Sequence, residues 1–317
     1  MSTPSVPTHQ IRVADGTRLA YRLLGPSTSP PDGAGRATTP RRIALCDGIS
    51  CDGYIWRDLL PVLAKNHDIL HLNYRGHGRS GLPREPHLVT LPDLAGDLAF
   101  VLRRLGWTDV TLIGHSMGVQ VSLECAIRYP TEVGSLVLCN GSYGRVLDTF
   151  RNTDFGARLL PIIDAVTYTW RDAVSGLVRA VLPSPLSYTL AALTEIKAEH
   201  IKPRDLQPYL DHFARMPLDL FTGLLTDAAE RTALPFLPHI SQKTLVIAGE
   251  DDGFTPLATS HRLVDMLPDA ELLVVPKTSH TAPLEAPEAF ETAIMAFLDT
   301  VARTERRPAL SHGRPLF

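Results

Sequence analysis

Ser116 has the sequence surroundings that most clearly suggest chemistry. It stands at the centre of a pentapeptide with a glycine two places before it and another two places after it, Gly114-His115-Ser116-Met117-Gly118. A serine between two glycines can act as a nucleophile on a strained strand-to-helix turn, where bulkier neighbours would collide. The alternative is a glycine-rich turn whose serine only caps the helix that follows.

The segments around Ser116 favour the nucleophile. Residues 110–113 form a short apolar run of the kind that predicts a buried strand, and residues 117–129 have the pattern of a helix. The serine therefore lies where a nucleophile elbow needs it, with its hydroxyl exposed above the carboxyl edge of a sheet. This context carries the prediction, because the pentapeptide alone is a weak signal.

A serine hydroxyl needs a base to take its proton, and histidine is suited to neutral pH. In enzymes with a nucleophile elbow the acid and then the base follow the serine along the chain. After the predicted strand over residues 245–248, which ends at the candidate acids, the remaining histidines are His261, His280 and His312. His261 lies within a predicted helix and His312 in a polar tail. His280 follows a predicted strand over residues 272–275, where catalytic groups collect in open sheets. We predict His280 as the base; the alternative is an ordinary loop histidine.

Carboxylates follow the predicted strand over residues 245–248, in the segment Gly249-Glu250-Asp251-Asp252-Gly253. One of them can accept a hydrogen bond from the imidazole and hold its tautomer. Position alone does not choose between Asp251 and Asp252, and the carboxylates not used for catalysis would form a charged turn that caps the next helix. Asn140, after another predicted strand, has no charge to offer.

The wider pattern predicts an α/β protein. A hairpin over residues 11–23 is followed by apolar strands that alternate with helices, which is typical of a mostly parallel sheet flanked by helices on both faces. The rhythm stops at residues 143–237, where only helical patterns occur. We therefore expect a core built from residues 1–142 and 238–305, a helical insertion between them, and a tail over residues 306–317.

Composition excludes several classes of partner. The net charge is −3 with charges interleaved along the chain, which does not favour nucleic acid or an anionic membrane. No run reaches the roughly 18 apolar residues of a membrane span, and the first residues do not resemble a signal peptide. The four cysteines lack metal-site spacing. We expect a cytoplasmic protein with reduced thiols, no metal, no cofactor and a small-molecule substrate.

At this point the chain resembles the α/β-hydrolase family over nearly all its length outside residues 26–40 and the tail. Gly249, Asp252 and Pro256 match the family pattern G-x-x-D-x-x-x-P, so the resemblance implies that Asp252 is the acid. Residues 279–288 are similar to the family's G-H and L-E-x-P-E pattern, with His280 as the histidine. The resemblance implies an α/β-hydrolase fold with the insertion as a helical cap.

The resemblance also implies an oxyanion hole made by the backbone amides of Ile49 and Met117. Two departures accompany it. Asp47-Gly48 stands where the family has His-Gly, and Asn73 replaces the usual aspartate of a turn that shapes the core. A carboxylate facing the hole would oppose a developing oxyanion, so we expect Asp47 to turn away into hydrogen bonds.

The insertion resembles the cap that covers the family's active site. It carries large apolar side chains among mixed charges, most of which are expected to pack the cap itself and one or two to line the pocket: Phe150, Phe155, Leu159, Leu160, Tyr168, Trp170, Phe213 and Phe221. The cap has no basic cluster, which favours an uncharged and fairly apolar substrate.

Three hypotheses of function follow. The first is a serine hydrolase that cleaves a carboxylic ester or lactone through an acyl-enzyme on Ser116. The second keeps the triad but changes the bond, to a thioester, a carbon–carbon bond next to a ketone, or peracid formation. The third is a ligand-binding protein with little turnover. Epoxide hydrolases and haloalkane dehalogenases are disfavoured, because an aspartate usually replaces the serine in them.

Overall fold

The structure, a computed structural model, describes residues 8–28, 40–148, 155–194, 199 and 201–305. Most of the segment over residues 26–40 and the whole tail over residues 306–317 lie outside the described residues, as does Phe150 of the insertion. The side chains of Phe155, Leu159 and Tyr168 also lie outside them.

An eight-stranded sheet forms the centre of the described chain, in the order β1-β2-β4-β3-β5-β6-β7-β8. Its strands are β1 Thr8–Arg12, β2 Arg18–Leu24, β3 Arg42–Cys46, β4 Asp68–Asn73, β5 Val110–His115, β6 Val133–Cys139, β7 Lys243–Gly249 and β8 Ala270–Val275. β2 pairs antiparallel with β1 and β4, and the remaining pairs are parallel. This confirms the predicted hairpin and mostly parallel sheet.

Helices cover both faces of the sheet. They are α1 Leu59–Leu63, α2 Leu91–Arg104, α3 Met117–Arg128, α4 Phe155–Thr169, α5 Arg171–Val181, α6 Pro185–Thr194, α7 Pro203–Arg215, α8 Leu218–Glu230, α9 Leu257–Met266, α10 Ala282–Glu285 and α11 Pro287–Glu305. Helices α4–α8, the inserted helices, all lie between β6 and β7. None of the helices in the described ranges is long and apolar enough to cross a bilayer.

Strand residues alternate between two apolar cores. Leu112 and Leu136 pack into a core shared with α2, α3 and α9, whereas Ile113 and Val137 face a core shared with α1 and α11. Because side chains on a strand point alternately to the two faces, central strands covered by helices must be apolar on both. This explains why the sequences of β5 and β6 are nearly continuous apolar runs.

One predicted helix differs from the structure. The pattern over residues 54–64 predicts a single helix, but the chain forms a short 3₁₀ turn at Tyr54–Trp56 and then α1 from Leu59. Pro61 explains the break, because within a longer helix it could not donate to the carbonyl of Arg57 and its ring would clash there. When the helix begins at Leu59, Pro61 falls in the first turn, where no donor is required.

The carboxyl ends of the parallel strands bring the polar side chains together. Asp47 follows β3, Ser116 follows β5, Asn140 follows β6, Asp252 lies in the loop after β7 and His280 in the loop after β8. Parallel strands end at the same edge of a sheet, so residues far apart in sequence become neighbours there.

Candidate active site

Ser116 occupies a sharp turn between β5 and α3, with φ 55° and ψ −122°. The residues two places before and two places after it must be glycine, because there is no space for a side chain at either position. A Cβ on Gly118 would lie 2.0 Å from the carbonyl oxygen of Cys46, and one on Gly114 would lie 2.5 Å from the carbonyl oxygen of Gly118. The turn is therefore held in an uncommon conformation by close backbone packing, and it presents the serine hydroxyl at the start of α3.

His280 contacts both of its expected partners. Its Nε2 lies 3.0 Å from Ser116 Oγ, and its Nδ1 lies 3.1 and 3.0 Å from the two carboxylate oxygens of Asp252. Because the carboxylate accepts, Nδ1 carries the proton and Nε2 is left to accept from the serine hydroxyl. This is the arrangement in which an imidazole can remove the serine proton.

Asp252 is 5% exposed and is surrounded by donors. It accepts from the amides of Phe254 and Thr255 at 2.9 Å each, from the Thr255 hydroxyl at 2.7 Å and from Asn140 Nδ2 at 3.0 Å. Burial alone would raise the pKa of Asp252, but the nearby His280 and the Thr255 donors outweigh it and lower the pKa to about 2. The carboxylate is thus kept ionised beside the imidazole.

Asp251 is placed differently from its neighbour. It is exposed, and its backbone amide donates to the carbonyl of Thr278 at 2.9 Å. The structure therefore brings Asp252 onto His280, whereas Asp251 is exposed.

The amides of Ile49 and Met117 both belong to residues that line the same cavity as Ser116. Within the described part of the chain, neither amide donates to a backbone carbonyl. Gly48 brings the first of these segments close, since a Cβ there would lie 3.2 Å from the Cβ of Ser116. The Met117 amide also lies in the first turn of α3, where the helix dipole favours negative charge. Both residues therefore lie at the cavity beside Ser116.

The Asp47 carboxylate is fully buried and accepts from Trp56 Nε1 at 2.7 Å. Its second oxygen lies 2.8 Å from His71 Nε2. The carboxylate is therefore engaged with these two rings, while Gly48 and Ile49 line the cavity.

His115 contacts His280 through a hydrogen bond and through its ring. Its Nε2 donates to the backbone carbonyl of His280 at 2.9 Å, and the two rings lie 5.1 Å apart. Burial and the neighbouring His280 lower the pKa of His115 to about 3, so the ring stays neutral. It can position His280 without adding a charge to the site.

Several supporting residues were not predicted from the sequence. Asn140 donates to Asp252 and also to the carbonyl of Ser279 at 3.1 Å, so it links the loops that follow β7 and β8. Glu285 accepts from the Ser279 amide at 2.7 Å and from the Thr281 hydroxyl at 2.6 Å, one residue on each side of His280. Two features of the sequence could have indicated these roles: Asn140 stands at the end of a predicted strand, and Glu285 lies in the L-E-x-P-E pattern.

A cavity of about 440 Å³ opens beside Ser116 and His280, between the sheet and the inserted helices. Its wall is mainly aliphatic and aromatic, and the inserted helices contribute Leu160, Leu206, Tyr209, Leu210, Phe213 and Phe221. Among the described residues, no Lys, Arg, Asp or Glu lines this cavity. Trp170, by contrast, is 65% exposed and lies outside the wall.

Comparison with known proteins agrees with this architecture. Residues 42–287 match the model of a family described as having the alpha/beta hydrolase fold. The chain therefore belongs to the α/β-hydrolase fold family.

Among curated proteins, the chain is 26% identical over 266 residues to "Putative carbamate hydrolase RutD" of Caulobacter sp. (strain K31), a match that covers 83% of this chain and 92% of that protein. It is also 26% identical over 259 residues to 2-hydroxy-6-oxo-6-(2'-aminophenyl)hexa-2,4-dienoic acid hydrolase of Metapseudomonas resinovorans, covering 80% of this chain and 81% of that one. A solved thermophilic esterase from Thermogutta terrifontis has a TM-score of 0.72 at 21% identity, covering 93% of this chain and 99% of that one. The relatives support a hydrolase, and the esterase structure shows the shared fold.

Proposed function

We propose that the protein is a serine hydrolase that cleaves an uncharged, fairly apolar carboxylic ester or lactone. The observation that carries this proposal is the line of contacts from Asp252 through His280 to Ser116, with 3.0 Å between His280 Nε2 and Ser116 Oγ. Nucleophile, base and orienting acid stand within hydrogen-bond reach, in the protonation state that activates a serine.

The reaction begins when Ser116 Oγ attacks the substrate carbonyl and His280 Nε2 takes its proton. The amides of Ile49 and Met117 donate to the oxyanion of the tetrahedral intermediate. His280 then gives the proton to the departing alkoxide, which leaves an acyl group on Ser116. A water molecule that loses its proton to His280 attacks this acyl group, and release of the acid restores the serine. In a lactone, acid and alcohol leave as one molecule.

The inserted helices act in this proposal as a cap that selects the substrate. They supply much of an apolar wall on which the described residues place no Lys or Arg for a charged group. The Metapseudomonas relative is named for an acid, whose carboxylate would be costly to bury in such a cavity. Neutral esters and lactones are therefore favoured over substrates of that kind.

Replacing the nucleophile tests the proposal. Ser116→Ala is expected to abolish turnover of p-nitrophenyl butyrate and labelling by a fluorophosphonate probe, because both need the serine oxygen. Ser241→Ala, at an exposed serine before β7, is the matched control and should leave both unchanged. If both activities persisted in Ser116→Ala, the proposal would be wrong. Binding of an ester without release of product by the wild type would favour a ligand-binding protein instead.

A further inference from the structure

A buried chain of hydrogen bonds ends on the loop that carries the Ile49 amide. Asp47, two residues before Ile49, is 0% exposed and accepts from Trp56 Nε1 with one oxygen. Its other oxygen contacts Nε2 of His71, which is 1% exposed. The opposite ring nitrogen of His71, Nδ1, lies 2.9 Å from a guanidinium nitrogen of Arg22.

Arg22 fixes which nitrogen of His71 carries the proton. A guanidinium only donates, so Nδ1 of His71 must accept and be unprotonated. The proton of the neutral ring then lies on Nε2 and is donated to Asp47. Arg22 and His71 are direct partners across β2 and β4, which holds this contact in register.

The same ring supports the far end of the loop. Gly53 lies against His71, since a Cβ there would lie 2.5 Å from its Cε1, and its φ of 94° is one that glycine favours. Between these ends, the amide of Ser50 donates to Nε2 of the buried His77 at 3.3 Å. The loop over residues 47–53 is thus pinned on both sides of the Ile49 amide.

We propose that the relay Arg22–His71–Asp47–Trp56 positions the Ile49 amide for the oxyanion, with Asp47 as a positioning residue. This inference rests on the proposed function. A carboxylate suits the position because it meets a donor on each oxygen, from Trp56 on one side and from His71 on the other. An asparagine in either orientation would place its own N–H₂ against one of these donors.

Asp47→Asn tests the relay. We expect kcat for p-nitrophenyl butyrate to fall about 10- to 100-fold with a smaller change in KM, because a displaced oxyanion donor weakens binding of the transition state more than that of the substrate. Asp58→Asn, at an exposed aspartate before α1, is the matched control and should leave kcat unchanged. Wild-type kcat in Asp47→Asn would overturn the inference.

A second substitution tests the tautomer specifically. Glutamine in place of Arg22 can accept as well as donate, so His71 can move its proton to Nδ1 and accept from the new asparagine through Nε2. Arg22→Gln combined with Asp47→Asn is therefore expected to recover most of the lost kcat. A double variant no more active than Asp47→Asn would contradict the relay, because a loss of general stability would not be repaired by a second substitution.

The tautomer of His71 in the wild-type protein provides a test that does not depend on ester turnover. In ¹⁵N-labelled histidine spectra, with the His71 signals identified by their loss in His71→Gln, we expect a neutral ring protonated at Nε2. Protonation at Nδ1 would overturn the inference even if the enzyme cleaves esters. Absence of ester cleavage by the wild type, together with the Nε2 tautomer, would instead contradict the proposed function and leave the relay supported.

Discussion

At the scale of single residues, the ionised state of Asp252 couples the site to the stability of the fold. Its pKa is lowered in the folded protein from 3.8 to about 2. A carboxylate whose pKa is lower in the folded protein than in the unfolded chain stabilises the fold at pH values above the unfolded pKa. This stabilisation is lost as the pH falls through the pKa of the folded protein. The size of the shift corresponds to about 2 kcal/mol.

We therefore expect the difference in free energy of unfolding between the wild type and Asp252→Asn to narrow by about 2 kcal/mol from pH 5 to pH 2. The physical reason is that the wild type loses the charge that His280 and the Thr255 donors stabilise, whereas the asparagine has none to lose. Urea denaturation of both proteins across this range measures the effect. A difference that stays constant with pH would contradict the assigned shift.

At the scale of elements, the turn between β5 and α3 depends on backbone contact. Gly118→Ala would place a methyl group 2.0 Å from the Cys46 carbonyl in β3. The Cys46 oxygen belongs to the strand backbone and the alanine Cβ is fixed to the helix backbone, so the strand or the helix must move. We expect a loss of at least about 3 kcal/mol in unfolding free energy and loss of ester turnover, measured by chemical denaturation and initial rates.

Gly176→Ala is the matched control for this change. Gly176 lies on an exposed position of α5, and a Cβ there meets nothing within 4 Å. Alanine at such a helical position is expected to stabilise the protein by about 0.5–1 kcal/mol. Equal effects of the two substitutions would show that the elbow does not depend on close packing.

Most of the strands and helices could be predicted from the sequence. The hairpin pattern predicts the first two strands, and the alternation of apolar runs with helical patterns predicts the other six, because strands buried on both faces are largely apolar. The single helix predicted over residues 54–64 was wrong, since the proline at position 61 restricts where a helix can start more than the apolar spacing suggests.

At the scale of the whole molecule, the inserted helices and the sheet together enclose the cavity. Arg57, before α1, donates to the carbonyl of Asp205 on α7 at 3.2 Å, and the rings of Tyr54 and Tyr209 lie 6.3 Å apart. These contacts join the inserted helices to the loop region that follows Ile49. The cavity that results has a mainly apolar wall.

This wall predicts discrimination against charged substrates. The methyl ester of mono-p-nitrophenyl adipate should be cleaved with a kcat/KM at least about 100-fold above that of the free monoacid, because the carboxylate would be buried without a partner. The two substrates share the acyl chain and the leaving group and differ only in the methyl group that removes the charge, so initial rates of p-nitrophenolate release compare the neutral and the charged end group. Equal values would contradict an uncharged substrate and point to a cation reaching the site.

The sequence by itself determined the fold class, the position of the serine on its turn and the candidates for base and acid, because strand periodicity and glycine spacing are local properties of the chain. Residue types alone left Asp251 and Asp252 open, and only family resemblance separated them. The structure places Asp252 on His280, and it also decides the direction of Asp47, the support from Asn140 and the apolar wall of the cavity. These features depend on contacts between residues distant in sequence, which form only when the strands and inserted helices pack together.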